Sequence, residues 1–581
     1  MDAGPPKSIS LQAFAIREGE VVMAPMAPMA PRAPIDPLEP RVGTPNVLRL
    51  LAVADLAPGR TAGPLPVGPG RAGVDAALAE LSPALAFAVP SHLGAGPKEI
   101  QVTCRFRALA DFAPGTLARA VPALAELLAA REDLPGKPEN AGVAAPPPAP
   151  AAPAADDPLA ALLAQVELPP DPAHLTSLPL AELLARPAAP ERTAEIDRRL
   201  SRQLAEIAAA PPLQALEAAW RGVAFLAARA SNRSRFQLEI LATDRDALLD
   251  TFYEQIFGAE HEGVAVPLSA VVLGWELDRG PVDAEDLRHL ARMGESLQVP
   301  FLGAVGPAFW GIRQPGLLAN LPDLVRKAEG SEYAKWNGLR REEAAHWLCL
   351  AANRILLRSA WGEMPETRET QEAGFEWRDA GPADRPLWGS GAWALGAVLT
   401  QAFAAAGLRF PMTGPEPPAE LAGFPPAASP APIEVLLSDQ KALEIARVGL
   451  APLIAKRGES AAHFPSLPTV YLAKRYDRDE ATRQAASQAT LPYQAFAGAA
   501  AHALAAVGRE VPAGLAAEEV RSRFAEGLRA FLGVESPEAV EIEVQDDPES
   551  PDVWAVHARL RPGFAISGSD VDLVLGSAVP R

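Results

Sequence analysis

From residue 100 onward the chain alternates, with Ile100, Val102, Cys104 and Phe106 interleaved with Gln101, Thr103, Arg105 and Arg107. A period of two predicts a strand with one buried and one charged face. The period then lengthens. Pro114 suits the first turn of a helix, and Leu117, Val121, Leu124 and Leu128 recur at helical spacing. Pro122 is expected to kink or restart that helix. Two further helices follow from Ile196, Leu200, Leu204 and Ile207, and from Leu213, Leu216, Trp220 and Val223. Arg198, Arg199 and Arg202 are expected on the outer face of the first.

Phe236, Leu238 and Ile240 alternate as another strand. Apolar runs at 264–273 and Phe301–Val305 flank a helical pattern over 283–297. Buried strand, helix, buried strand predicts a βαβ unit and a parallel core sheet. Further strands are expected at 433–437 and 469–472. Near the C-terminus alternation returns: Val540, Ile542 and Val544 oppose Glu541 and Glu543, and Trp554, Val556, Ala558 and Leu560 oppose Ala555, His557 and Arg559. Val571, Leu573 and Leu575 form a last short strand. The fold class is mixed α/β. Strands near a chain end can pair with another chain's sheet edge.

The 61 prolines cluster. Residues 23–34, MAPMAPMAPRAP, predict an extended surface loop. Residues 134–158 predict a semi-rigid polyproline-type spacer, and 411–432 a long surface loop. The expected division is a small strand-plus-helix domain at 1–134, a Pro/Ala-rich linker with a short amphipathic helix at 135–190, and a larger domain with a partly parallel sheet at 191–581.

Composition removes several function classes. Acidic residues outnumber basic ones, 72 to 53, for a formal charge of −19; a nucleic-acid partner would require a basic stripe. Cys104 and Cys349 are too few for a disulfide framework or a four-cysteine zinc site and read as buried thiols in a reducing compartment. Residues 1–20 lack an apolar signal core. The uncharged stretches 388–408 and 491–508 are alanine-dominated and read as buried helices rather than membrane spans. A soluble, cytoplasmic protein is expected.

Candidate chemistry is sparse. The glycine-rich Val67–Gly73 segment lacks the Lys-Ser/Thr of a phosphate loop and reads as a turn. Ser390 between two glycines reads as helix-start packing. Asp283, Glu285 and Asp286 suit a helix N-terminus, and Asn232-Arg-Ser reads as a chance glycosylation match. The eight histidines are scattered, with no HExxH. No catalytic residue, metal or cofactor is expected.

The segment CRFRALADFAPGTLARAVPALAELLAARE resembles the C-terminal signature of the small, TssB-type sheath protein of type VI secretion systems. The elements carrying the likeness are Phe106, Leu109, Asp111, Phe112, Val121 and Pro122. The apolar stretch 47–55 resembles that family's earlier core strand. Beyond the spacer the order resembles the large, TssC-type sheath protein. EIDRRLSRQLAEI and LEAAWRGVAFL are similar to its opening helices, residues 331–358 to its central segment, and LWGSGAWALGAVLTQAFAAAG to its W-G-N-A helix with Ser390 at the asparagine. Residues 438–464, 474–493 and VWAVHARLRPGF follow in register. The family's F-N-F-E-E stretch survives only as a vestige near 375–377, and its glycine-rich loop is replaced by PMTGPEPPAE.

The resemblance implies a contractile-sheath protomer, two subunits fused on one chain, that is structural and not enzymatic. It implies a helical homopolymer around an Hcp-type inner tube, contact with baseplate proteins, and outward drive of the tube on contraction. The alternative it leaves is a diverged, non-contracting homologue acting as a cap or scaffold. Interlacing strands are expected at 9–16, with Ile9, Leu11, Phe14 and Ile16, and at 554–560, with Trp554, Val556 and Leu560. A ClpV-type ATPase would be recognised through residues 157–166, where Leu159, Leu162, Leu163 and Val166 form an apolar stripe. A linker helix docked on its own domain accounts for that stripe equally. Neither nucleic acid nor membrane insertion is implied.

Overall fold

The computed structural model describes residues 47–94, 97–132, 182–183, 190–229, 235–264, 266–361, 386–426, 431–546 and 550–581, with the backbone of short strands at 11–12, 15–17 and 20–22. Its centre is a seven-stranded sheet. In spatial order the strands are Ala451–Pro452, Leu348–Ala352, Phe301–Val305, Ala270–Leu277, Leu48–Ala54, Phe236–Ala242 and Ala62–Val67. All neighbours are parallel except Ala62–Val67, which runs antiparallel to Phe236–Ala242.

Leu48–Ala54 sits in the middle of this sheet, pairing Leu50 with Leu238 on one side and Ala270 on the other. Its near-continuous apolar run is what a strand covered on both faces requires. Leu50 and Ala52 enter one core, and Leu51 and Val53 enter the core on the opposite face. Strands from before and after the proline-rich spacer therefore share one sheet and two common cores.

Helices Pro211–Ala227 and Ala392–Ala406 cover the first face, and Pro281–Leu297 the second. Small residues let the first layer close. A Cβ on Gly222 would lie 2.2 Å from Trp393 Cε2, and one on Gly274 3.0 Å from its Cζ2. The fully buried Trp393 is thus wedged between a helix and a strand through two missing side chains. The alanine-rich stretches at 388–408 and 491–508 are this buried helix and the helix Leu491–Glu510. No helix among the described residues is long and apolar enough to cross a membrane.

The segment 84–132 follows its sequence pattern closely. Ala84–Pro90 and Glu99–Arg105 form an antiparallel hairpin. Phe106 and Phe112 then stack with centroids 4.3 Å apart, while the Asp111 carboxylate accepts the Arg107 and Ala108 amides at 2.6 and 2.9 Å. Pro114–Ala120 starts at its proline, and Pro122–Glu132 restarts after Val121. The glycine-rich 67–73 segment is a strand-to-helix turn in which a Cβ on Gly73 would strike the Gly68 carbonyl.

Three expectations need correction. Arg199 does not face outward: it is 3 % exposed, bonded to Glu195 at 2.8 Å and to the Leu93 carbonyl at 2.6 Å. A carboxylate one turn away and a hairpin carbonyl make that burial tolerable. Residues 433–437 are not a strand, since only Ile433 bridges to Ile355 and the Val435 amide is taken by Asn353 Oδ1. Nor are 469–472. The Thr469, Val470 and Leu472 amides go to Ala489, Leu348 and Arg340 in turn, so the run is buried and pinned without a ladder.

Candidate assembly interface

The C-terminal strands form a separate four-stranded sheet in the order Leu11–Gln12, Leu573–Pro580, Val553–Leu560, Val540–Asp546. All pairs are antiparallel. Alternation decides its faces. Val540, Ile542, Val544, Val556, Ala558, Leu560 and Val579 turn inward onto Val520, Phe524 and Leu528 of the helix Ala517–Leu532 and onto Leu504. Glu541, Glu543 and Arg559 turn to solvent.

Val553–Leu560 is an interior strand, and this changes the expected role of its residues. Trp554–Leu560 pairs with Val540–Asp546 on one side, and the whole strand pairs with Leu573–Pro580 on the other. Val556 and Leu560 are fully buried. Trp554 is half-buried, its Nε1 donates to the Leu515 carbonyl at 3.1 Å, and the Arg581 guanidinium lies 4.2 Å over its ring. Periodicity found the strand but not its neighbours. From Trp554 to Leu560 it has a neighbouring strand of its own chain on both sides.

The edges lie elsewhere. Among the described residues nothing pairs with the outer side of Val540–Asp546, and the outer side of Leu573–Pro580 meets only Leu11–Gln12, with Leu11 opposite Ser577 and Gln12 opposite Gly576. Leu11 and Ile16 fall in the short strands Leu11–Gln12 and Ala15–Arg17, whereas Ile9 and Phe14 lie outside the described residues. So do Leu159, Leu162, Leu163 and Val166. The structure therefore brings Leu11 to the same sheet as Val556 and Leu560, one strand removed from them.

Asp572 anchors the turn into the last strand. Arg559 reaches it with both Nε and a terminal nitrogen, at 2.7 and 2.6 Å. The Arg559 hydrogen bonds hold the Asp572 carboxyl below its ordinary value, against a smaller opposing effect of burial. Such a planar two-point contact fixes geometry as well as charge. A sequence signal existed in the alternation of Arg559 with apolar neighbours; the identity of its partner did not.

Elsewhere the candidate chemistry resolves into structure. Asp283 pairs with Arg245 and accepts the Asp278 amide at the start of Pro281–Leu297. Ser390 Oγ accepts the Ala392 amide at 3.2 Å as that helix begins. Cys104 and Cys349 are buried and unpaired, and burial pushes the Cys104 thiol up to about 11 and Cys349 up as well.

An α/β core thus carries a separate terminal sheet whose edge strands are open or met only by a two-residue strand among the described residues. Two family models match in tandem. Residues 69–137 match the type VI secretion system family VipA, VC_A0107 or Hcp2, and residues 191–471 match VipB, the EvpB/VC_A0108 tail sheath N-terminal domain. The chain carries the small-subunit and large-subunit sheath domains of type VI secretion systems on one polypeptide. It is 24 % identical over 427 residues to the type VI secretion system sheath protein TssC1 of Pseudomonas aeruginosa, covering 67 % of this chain and 85 % of that protein. Similar solved structures include the anti-feeding prophage baseplate, at TM-score 0.35 and 10 % identity over 61 % of this chain and 75 % of the other. The contracted helical sheath of the same particle gives 0.31 and 11 % over 60 % and 75 %. The chain's role is that of a structural sheath protein.

Proposed function

We propose that the chain is the protomer of a contractile type VI sheath that polymerises helically around an Hcp-type inner tube and drives it outward on contraction. The observation that carries this reading is the terminal sheet with its two available edges, one of them met by a strand only two residues long. An edge strand presents a row of amides and carbonyls that a neighbouring chain can complete. In the polymer, the 9–16 segment of one protomer pairs with the Leu573–Pro580 edge of the next. Fusion of the two domains fixes their stoichiometry at one to one. Contraction then draws on the lattice formed at assembly, baseplate proteins seed it, and a ClpV-type ATPase recycles it through residues 157–166.

Removing residues 1–22 tests the strand exchange. Negative-stain microscopy and sedimentation of the full chain, alone and with the inner-tube protein, should show hollow tubes. The truncated chain should stay monodisperse while unfolding at an unchanged urea midpoint. Tubes that persist without residues 1–22 would show that assembly does not use this strand. Monodisperse particles from the full chain under both conditions would favour the cap or scaffold. Deleting 554–560 is not a usable test, because it removes the strand that joins Val540–Asp546 to Leu573–Pro580 and so breaks the sheet itself.

A further inference from the structure

Prolines in the seven-stranded sheet are sorted by strand position. None lies in the five interior strands, Leu348–Ala352, Phe301–Val305, Ala270–Leu277, Leu48–Ala54 and Phe236–Ala242. Both outermost strands carry them: Ala451–Pro452 at one end, and Ala62–Val67, with Pro64 and Pro66, at the other. A proline inside an interior strand would delete a ladder hydrogen bond, so its exclusion there follows from backbone chemistry alone. At an edge, the effect of the missing donor depends on which way it faces.

Register gives that direction at Ala62–Val67. Leu65 stands opposite Ile240, Pro66 opposite Glu239 and Val67 opposite Leu238. Successive residues of an antiparallel strand turn their backbone groups to opposite sides, and Pro66 has no amide to give to Phe236–Ala242. The ladder therefore falls to Leu65 and Val67, and the backbone of Pro66 faces outward. Pro64 lies where the register shifts before Leu65, and it too lacks a donor. Both prolines are exposed, and among the described residues nothing pairs with the outer side of this strand. The far edge is shielded differently. There the Leu453 amide goes to the Ala352 carbonyl at 3.3 Å, which turns Pro452 outward, but Ala451, Pro452 and Leu453 are all buried.

The terminal sheet is built the other way. Val540–Asp546 has seven residues and no proline, and Leu573–Pro580 has one only at its last position. We propose that Pro66, with Pro64 beside it, closes the exposed edge of the seven-stranded sheet against backbone pairing with a second copy of the chain. These two residues thereby keep the core sheet out of the strand pairing through which copies join. Without them, a six-residue edge whose Leu65 and Val67 already pack on the first core would compete with the terminal sheet for a neighbour's strand. With them, the outward positions 64 and 66 present acceptors alone. An incoming strand could give its amides there but would have to leave its own carbonyls unpaired, and an unpaired buried backbone group is costly. The inference rests on the polymer reading above and concerns a sheet edge that the strand exchange does not use.

Restoring one donor tests it. Full-length Pro66→Thr regains an outward amide and keeps Pro64 in place. Below the concentration at which the wild-type chain assembles, sedimentation velocity should show the wild type as a monomer and Pro66→Thr shifted to dimers and larger species. Hydrogen exchange of the amide introduced at position 66 should slow as protein concentration rises, while exchange in the interior strand Leu48–Ala54 stays as in wild type. Pro322→Thr, at an exposed proline outside every strand, should sediment as wild type. A monomeric Pro66→Thr chain overturns the inference. So does association without slowed exchange at position 66, association with faster exchange in Leu48–Ala54, or equal association of Pro322→Thr. Tube formation by the wild type is scored separately. Its absence removes the sheath reading, whereas a monomeric Pro66→Thr chain removes the closed edge alone.

Discussion

Glu217 and Arg358 meet in a buried ion pair, with Arg358 Nε donating to Glu217 Oε1 at 2.9 Å and their side chains 3 % and 4 % exposed. Glu217 comes from the helix Pro211–Ala227 and Arg358 from the strand Ile355–Arg358, 141 residues later. Arg221 donates to the same oxygen at 2.7 Å, and the Arg358 guanidinium also lies 4.5 Å from the Trp361 ring. Burial pushes the Glu217 carboxyl up, but the two arginines outweigh it and leave it below its ordinary value. Arg358→Met should destabilise the fold by about 1–3 kcal/mol, because Glu217 keeps Arg221 but loses its fully buried charged partner. Pairing it with Glu217→Gln should recover much of that loss. Urea unfolding of the two single variants and the double variant checks this. An additive double variant would show that the pair is not coupled.

Helix contact in the first layer depends on an absent side chain. Gly222→Ala places a Cβ 2.2 Å from Trp393, and overpacking of this kind costs about 1–3 kcal/mol. Trp393→Leu in the same chain should relieve the clash while introducing its own cavity penalty. The readout is the coupling energy between the two substitutions, which should be clearly favourable. Simple additivity would place Trp393 clear of Gly222 in solution.

His502 should make stability fall below neutral pH. Burial pushes its imidazole down to about 4, and Nε2 meets the Leu297 carbonyl at 2.8 Å. The unfolded chain binds a proton near the ordinary value of about 6.5, before the folded chain does, so stability rises with pH between those two values. Going from pH 7 to pH 5 should cost about 2 kcal/mol through this group. His502→Gln keeps a donor for Leu297 and should flatten the dependence across that window. Glu217 acts in the same direction at lower pH: its depressed carboxyl stabilises the fold above the ordinary carboxylate range, and this is lost as pH falls through its folded value. A urea midpoint equally pH-dependent in wild type and His502→Gln would assign the effect to other groups.

Recycling makes a separate prediction. Leu159, Leu162 and Leu163 changed together to Ala should abolish capture of the chain by a ClpV-type ATPase while leaving tube formation intact. Undiminished capture in a pull-down would return the 157–166 stripe to the role of a linker.

Pattern alone located the strands around 236–240, 540–544 and 554–560 and the helices beginning at Pro114 and broken at Pro122, because these depend on local periodicity and on proline's missing donor. It could not tell that 469–472 lacks a ladder, since strand and pinned loop bury the same apolar residues. Arg199 misled for a related reason: a charge at an apparently outer helical position was buried once the hairpin carbonyl of Leu93 reached it.

The amino-acid order by itself determined the mixed α/β class, the tandem of two sheath-type segments and the alternating faces of the terminal strands. Tertiary structure decided which strand is central. Hydrophobic alternation reports only the face a side chain takes, and strand adjacency is fixed by backbone bonds that carry no side-chain signature. That is why Val553–Leu560 reads in sequence as an exchangeable end strand and lies in the fold between two partners, with the open edges left to Val540–Asp546 and Leu573–Pro580.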